Sequence, residues 1–210
     1  MIDNSLKLRA FLAIELDQPS REYVRVVSER LRSSRSDVSW VKASNAHITL
    51  KFLGDISLSM KDSIEKSIKS IVLSHNSFEL RLRGLGAFPN VDRPRVVWIG
   101  IQDRSNSMRM LFDKLEPVFE SLDFPRERRA FNPHLTLGRV RSSSGNVALR
   151  KLLIENCDEA GPCFTVNHCV LFRSELKPSG AVYSELARFD MAWADRSWSS
   201  WIGGKKQKLQ

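Results

Sequence analysis

Residues 46–54 read AHITLKFLG, and residues 133–140 read PHLTLGRV. Each stretch carries a histidine with a threonine two places later, His47 with Thr49 and His134 with Thr136. The chain has only four histidines and three threonines, so chance is a poor explanation for this repeat. Because successive side chains of a strand point to opposite faces, each stretch predicts an imidazole beside a hydroxyl on one face and aliphatic anchors on the other.

The patterns on either side of these stretches predict an α+β fold. Strands are predicted at 8–16, 38–42, 46–54, 78–85, 95–101, 133–140, 164–173 and 182–190, and helices at 20–33, 58–73, 106–122 and 146–156. We expect Gly54 and Asp55 to end the first motif strand, and Pro117 to kink or divide the third helix. The recurring order predicts one bilobal domain over 1–195, with two similar lobes, an antiparallel sheet and helices in each, and an active-site cleft between them.

The composition suits a soluble globular protein. Lys and Arg number 33 against 24 Asp and Glu, a net charge of +9 that favours RNA as a partner but is equally typical of solvated surface charge. No run approaches the roughly 20 apolar residues of a membrane helix. The three cysteines lack a C-x-x-C pair. We therefore expect a cytoplasmic monomer without a membrane partner, with a basic, flexible tail at 196–210.

Two imidazoles are suited to in-line displacement at phosphorus. A neutral histidine removes a proton from the nucleophile while a protonated one donates a proton to the leaving oxygen, and both forms coexist near neutral pH. The hydroxyls of Thr49 and Thr136 would stabilise charge on the non-bridging oxygens. This scheme needs no metal or other cofactor. For either histidine alone, the alternatives are a structural role or one ligand of a metal site.

Arg139 follows the second motif closely. Residues 126–141 contain five arginines and a single acid, a local surplus of positive charge that would attract a phosphate. Strict alternation would place Arg139 on the core face with Leu135 and Leu137. We therefore expect a bulge or strand end near Gly138 to turn it toward the phosphate, with a structural ion pair as the alternative.

Two aromatic residues are candidates for stacking on a nucleobase. Phe11 lies in the first predicted strand and Trp40 in the second. Stacking of a base on an aromatic ring is a sequence-tolerant contact worth roughly 1 to 3 kcal/mol. Burial of each ring in the core is the alternative.

With these motifs the chain resembles the two-histidine phosphoesterase superfamily, and within it the bacterial and archaeal RNA 2',3'-cyclic phosphodiesterases, also called 2'-5' RNA ligases. The resemblance extends from about Leu8 to Asp190, through LRAFLAIEL, NAHITLKFLG, GAFPN with PRVVWIG, FNPHLTLGR and LFRSELKPSGAVYSEL. It implies two motifs facing each other across a cleft, and hydrolysis of a terminal 2',3'-cyclic phosphate of RNA to a 2'-phosphate without a cofactor.

The resemblance also implies roles for individual residues. It makes His47 the proton donor and His134 the proton acceptor, which the symmetric spacing alone does not assign. Thr49 and Thr136 match phosphate-binding threonines, and Arg139 matches a basic position after the second motif. Two other functions fit the same residues: joining or cleaving a 2'-5' linkage, and binding RNA or a nucleotide without catalysis.

Overall fold

A computed structural model describes residues 7–178 and 180–193. These residues form nine β-strands and four α-helices: β1 (Leu8–Glu15), α1 (Gln18–Arg32), β2 (Val38–Trp40), β3 (His47–Ile56), α2 (Leu58–Leu73), β4 (Phe78–Phe88), β5 (Val96–Gln102), α3 (Ser107–Ser121), β6 (His134–Val140), α4 (Asn146–Glu155), β7 (Ala160–Val166), β8 (His168–Lys177) and β9 (Gly180–Asp190). The predicted tail at 196–210 lies outside the described residues.

All strands of these elements join one curled antiparallel sheet in the order β7-β4-β5-β6-β3-β1-β8-β9, with β2 paired to β6. The sheet divides into two similar halves of four strands, β3-β1-β8-β9 and β6-β5-β4-β7. Each half contains one of the two motif strands. The halves meet where β3 pairs with β6, at Ile48 and Leu135. The predicted α+β class with two similar lobes is confirmed.

The helices cover one face of this sheet. Helices α1 and α2 begin where side chains accept hydrogen bonds from the first turn, Asp17 from the backbone N–H of Ser20 at 2.9 Å and Ser57 from that of Met60 at 3.2 Å. Apolar side chains at helical spacing then turn toward the sheet and join a single core. From the helices, this core includes Val24, Val27, Leu31, Ile64, Ile68, Val72, Met108, Leu111, Leu115, Phe119, Leu149 and Leu153.

Two expectations about where elements end are wrong. Strand β3 continues past Gly54 to Ile56, because Gly54 takes a φ of 70° and remains paired with Ala10 of β1. Helix α3 is not divided at Pro117 but continues to Ser121, and the kink expected there as the alternative stays a prediction. The buried side chains of Leu115 and Phe119 flank the proline, and their packing in the core outweighs its local preference.

The predicted strand at 164–173 is two strands in different halves of the sheet. Strand β7 pairs with β4, and β8 pairs with β1, with Asn167 as the only residue between β7 and β8. Such a division leaves no signal in the hydropathy pattern, because both segments are extended and apolar. The curl of the sheet allows one residue to connect its two halves.

Candidate active site

The two motifs meet at the centre of the sheet. Ile48 pairs with Leu135, and both side chains are fully buried on the face that the helices cover. Because β3 and β6 run antiparallel through this pair, His47 lies toward Thr136, and Thr49 lies toward His134. All four motif side chains therefore project from the uncovered face, where each is partly exposed.

Each imidazole is held by a hydrogen bond to the backbone carbonyl two residues before it. Nδ1 of His47 lies 2.8 Å from the carbonyl oxygen of Asn45, and Nδ1 of His134 lies 2.8 Å from the carbonyl oxygen of Asn132. A carbonyl only accepts, so Nδ1 carries the proton in each ring. Nε2 has no hydrogen-bond partner among the described residues in either ring, and it is the nitrogen left for proton transfer.

Aromatic side chains pack against each histidine. The rings of Phe11 and Tyr183 lie 4.7 Å and 5.2 Å from that of His47, and the ring of Phe88 lies 4.9 Å from that of His134. Burial lowers the pKa of His47, and the hydrogen bond to the Asn45 carbonyl opposes this effect. The protein without substrate therefore favours the neutral form of His47.

A bulge occurs at the same place in each motif. Leu50 is the extra residue where β3 pairs with β1, and Leu137 is the extra residue where β6 pairs with β5. Each bulge returns the residue two places later to the face of the histidines. That residue is Phe52 in the first motif, 66% exposed, and Arg139 in the second, also exposed. The bulge predicted near Gly138 is confirmed, and it places Arg139 on the motif face.

Arg139 contributes positive charge close to Tyr183, a neighbour of His47. Burial raises the pKa of Tyr183, whereas the charges of Arg139 and Arg9 act to lower it. Tyr183 in turn contacts the ring of His47 edge-on. Arg139 forms no ion pair with the described residues, so the alternative structural role suggested for it has no counterpart in this part of the chain.

Phe11 and Trp40 lie in different environments. Phe11 is 2% exposed, with its ring packed between His47, Phe172 and Tyr183. A ring so covered has no open side for a base. Trp40 is not brought to the motif face, because it pairs with Gly138, one residue before Arg139, and its ring packs against the core beneath the Arg32 guanidinium.

Three residues near the histidines were missed at the sequence level. Phe52 follows Thr49 by three places, which strict alternation assigns to the core face. Phe88 and Tyr183 come from β4 and β9, and only the tertiary fold brings them to His134 and His47. The sequence signal for Tyr183 is its place in LFRSELKPSGAVYSEL, one of the segments that carry the family resemblance.

No cluster of three or more His, Cys, Asp or Glu side chains within residues 7–178 and 180–193 is arranged to bind a metal ion. None of the four described helices has the length and apolar character to cross a membrane.

Comparison with known proteins shows the family of the chain. The sequence profile of the 2'-5' RNA ligase superfamily matches residues 18–178. The chain belongs to this superfamily. It is 34% identical over 184 residues to a protein of Methanothermobacter thermautotrophicus named RNA 2',3'-cyclic phosphodiesterase, covering 88% of this chain and 99% of that protein. A protein of the same name from Aeropyrum pernix is 36% identical over 156 residues, which is 74% of this chain and 88% of that one.

Solved structures also share the fold. Protein TT0787 of Thermus thermophilus superposes with a TM-score of 0.74 at 27% identity, covering 87% of this chain and 97% of that one. Escherichia coli LigT in complex with 3'-AMP superposes with a TM-score of 0.69 at 22% identity, covering 89% and 99% of the respective chains. At that identity, the similarity to LigT supports the fold alone.

Proposed function

We propose that the protein hydrolyses the terminal 2',3'-cyclic phosphate of RNA to a 2'-phosphomonoester, with His47 as proton donor and His134 as proton acceptor. One observation carries the proposal: the antiparallel pairing of Ile48 with Leu135 sets the two motifs side by side with their histidines at opposite ends of one patch. The names of the Methanothermobacter thermautotrophicus and Aeropyrum pernix relatives support the substrate.

In the proposed reaction, a water molecule attacks phosphorus and the bond from phosphorus to the ribose 3'-oxygen breaks. Nε2 of His134 accepts the proton of the attacking water, and Nε2 of His47 donates a proton to the departing 3'-oxygen. In-line displacement places the entering and leaving oxygens on opposite sides of phosphorus. Two imidazoles on opposite sides of a local two-fold axis suit that requirement.

The other side chains of the motif face stabilise the charge of the phosphate and position the substrate. The Thr49 and Thr136 hydroxyls donate hydrogen bonds to the non-bridging phosphate oxygens, where charge increases in the transition state. Arg139 binds the same phosphate from the second half of the sheet. At the equivalent position of the first half, the exposed ring of Phe52 supplies the base-stacking surface that we had expected from Phe11.

The lowered pKa of His47 sets a condition on its role as donor. A donor must be protonated, whereas burial favours the neutral imidazole in the free protein. A bound phosphate brings negative charge next to the ring, and an adjacent opposite charge raises the pKa of a histidine. Substrate binding therefore creates the imidazolium that the reaction consumes.

We further propose that the reaction needs no metal or other cofactor and takes place in the cytoplasm. The proton transfers are completed by His47 and His134, and the threonine hydroxyls with Arg139 provide the electrostatic stabilisation that a metal supplies in other phosphoesterases.

Hydrolysis of a short RNA ending in a 2',3'-cyclic phosphate tests the proposal. We expect the purified protein in excess chelator to form a 2'-phosphate, and His47→Ala and His134→Ala each to lower kcat by roughly 10²- to 10⁴-fold. His168→Gln, outside both motifs, is the matched control and keeps full activity. Retained activity in the double histidine variant, or a requirement for added metal, would refute the mechanism.

The same assay separates the other two functions. Addition of an RNA with a free 5'-hydroxyl, followed by analysis for a 2'-5' linkage, detects ligation as the dominant reaction. Tight, salt-sensitive RNA binding without turnover would identify a non-catalytic binder. Either result in place of hydrolysis would contradict the proposed function.

A further inference from the structure

A shallow basic cleft, separate from the motif site, lies at the end of β6 farthest from His134. The loop between β4 and β5 lines one side of it, and the loop between β6 and α4 lines the other. The cleft has a volume of about 470 Å³. Its cationic side chains are Arg93, Arg95 and Arg141, and all three residues are exposed.

The guanidinium groups of these three arginines are available to a ligand. In the described part of the chain, none of them forms an ion pair with a carboxylate. The acid of the cleft, Asp92, already accepts from Nε of Arg150 at 2.5 Å. The guanidinium of Arg141 donates to the neutral hydroxyl of Ser39, at 3.2 Å. An anion with several acceptor oxygens fits such a set of donors, because guanidinium binds phosphate in a bidentate geometry.

The cleft adjoins the face that carries the histidines at Arg141. Ser39, which accepts from Arg141, pairs in the sheet with Arg139. Arg139 lies on the motif face, so Arg139 and Arg141 connect the motif to the cleft through Ser39. Val140, which lines the cleft, comes six residues after His134, roughly 20 Å along an extended strand.

A polynucleotide ending in a cyclic phosphate continues from the site in one direction only, toward its 5' end. Its backbone carries a negative charge at each nucleotide, and a groove with unpaired cations attracts it. We infer that this cleft binds backbone phosphates of a single RNA strand upstream of the reacting terminus, which makes an oligoribonucleotide a better substrate than a cyclic mononucleotide. The inference rests on the proposed function, which places the terminal phosphate between His47 and His134.

Two variants with equal loss of charge test the inference. Arg93→Gln/Arg95→Gln removes two cations from the cleft, and the control Lys66→Gln/Lys69→Gln removes two exposed cations from α2, outside the cleft. We expect the cleft variant to lower kcat/KM for a cyclic-phosphate oligoribonucleotide by roughly tenfold or more, through KM. For adenosine 2',3'-cyclic phosphate, kcat/KM stays within about twofold of the wild type because no upstream phosphate is present.

The salt dependence gives an independent measure. The slope of log KM against log salt for the oligoribonucleotide decreases by about 0.7 for each backbone phosphate that the cleft variant no longer binds. In the control variant it does not change. An equal loss on both substrates, or no loss on the oligoribonucleotide, would overturn the inference.

Binding of a hydroxyl-ended oligoribonucleotide, measured by fluorescence anisotropy, separates this inference from the proposed function. Weaker binding by the cleft variant alone supports RNA binding in the cleft. If the protein then hydrolyses no substrate, only the proposed function is contradicted. Unchanged binding alongside normal hydrolysis overturns the cleft and leaves the proposed function intact. If the variants differ in binding inorganic phosphate but not the oligoribonucleotide, the cleft is a free-phosphate site and the inference fails.

Discussion

Ile48 of β3 and Leu135 of β6 are direct partners across the line where the two halves of the sheet meet. Each is the residue between a motif histidine and its threonine. Both are fully buried, so the core holds this pair in place while the neighbouring imidazoles and hydroxyls face outward. One pairing thus aligns four side chains whose motifs lie 87 positions apart, from 47 to 134 in the sequence.

The threonine hydroxyls are expected to act in the transition state. Thr49→Ala and Thr136→Ala should each lower kcat by roughly 10²-fold, as loss of one donor to a developing negative charge does elsewhere. Thr49→Ser and Thr136→Ser retain the hydroxyl and should retain most of the activity. Thr165→Ala, on an exposed position of β7, is the matched control. Steady-state kinetics in which the alanine and serine variants are equally impaired would contradict a hydrogen-bonding role.

Phe52 is expected to bind the terminal nucleobase. Its ring is exposed on the motif face, 6.0 Å from that of Phe11. Phe52→Ala should raise KM by roughly tenfold or more with little change in kcat, because stacking acts on ground state and transition state alike. Phe52→Tyr keeps an aromatic ring and serves as the control. A fall in kcat at constant KM would instead show that Phe52 only supports the catalytic groups.

His47 is expected to titrate below the usual pKa of histidine, because burial disfavours its charged form. Histidine ring signals followed by NMR against pH, assigned with His47→Gln, measure this directly. A bound 2'-phosphate nucleotide should move the pKa of His47 upward. A pKa above 6.5 in the free protein would contradict the structure.

The same shift predicts the direction of a stability change. Below pH 6.5 the unfolded chain binds a proton at His47 more readily than the folded protein does, so the free energy of unfolding decreases as the pH falls through the range below 6.5. This contribution should be absent from His47→Gln. Urea unfolding of both proteins between neutral and acidic pH measures the difference, and parallel pH profiles would count against it.

A buried ion pair connects the first motif strand to the segment before the second motif. Nζ of Lys51 lies 2.7 Å from Oε1 of Glu116 and 2.7 Å from the carbonyl oxygen of Pro125. Lys51→Met leaves the Glu116 carboxylate buried without its partner and should lower the free energy of unfolding by roughly 3 to 5 kcal/mol. Lys69→Met, on an exposed position of α2, should change it little. Equal unfolding midpoints for the two variants would show that the pair contributes nothing.

The sequence indicated much of this arrangement because its signals are local. The H-x-T spacing required each histidine and threonine to share a strand face. Apolar spacing located the four α-helices of the described residues, with α2 predicted at its observed bounds, 58–73. The bulge after the second motif was predictable because a charged Arg139 is rarely buried alone.

Other features depend on tertiary pairing, which no local pattern contains. Phe52 reaches the motif face through a bulge at Leu50, and an apolar residue there gives no reason to expect one. Tyr183 reaches His47 because β9 lies in the same half of the sheet as β3. Trp40 packs against the core, the alternative to stacking on a base, because its face is set by the register of β2 against β6, where it pairs with Gly138.

The central claim is that His47 and His134 act on one phosphate from opposite sides with opposite duties. A cyclic substrate with sulfur in place of the ribose 3'-oxygen tests it most directly, because a thiolate leaves without receiving a proton. We predict that this substrate restores His47→Ala to near the wild-type rate and leaves His134→Ala inactive. Restoration of His134→Ala instead, or an identical response of both variants, would contradict the account.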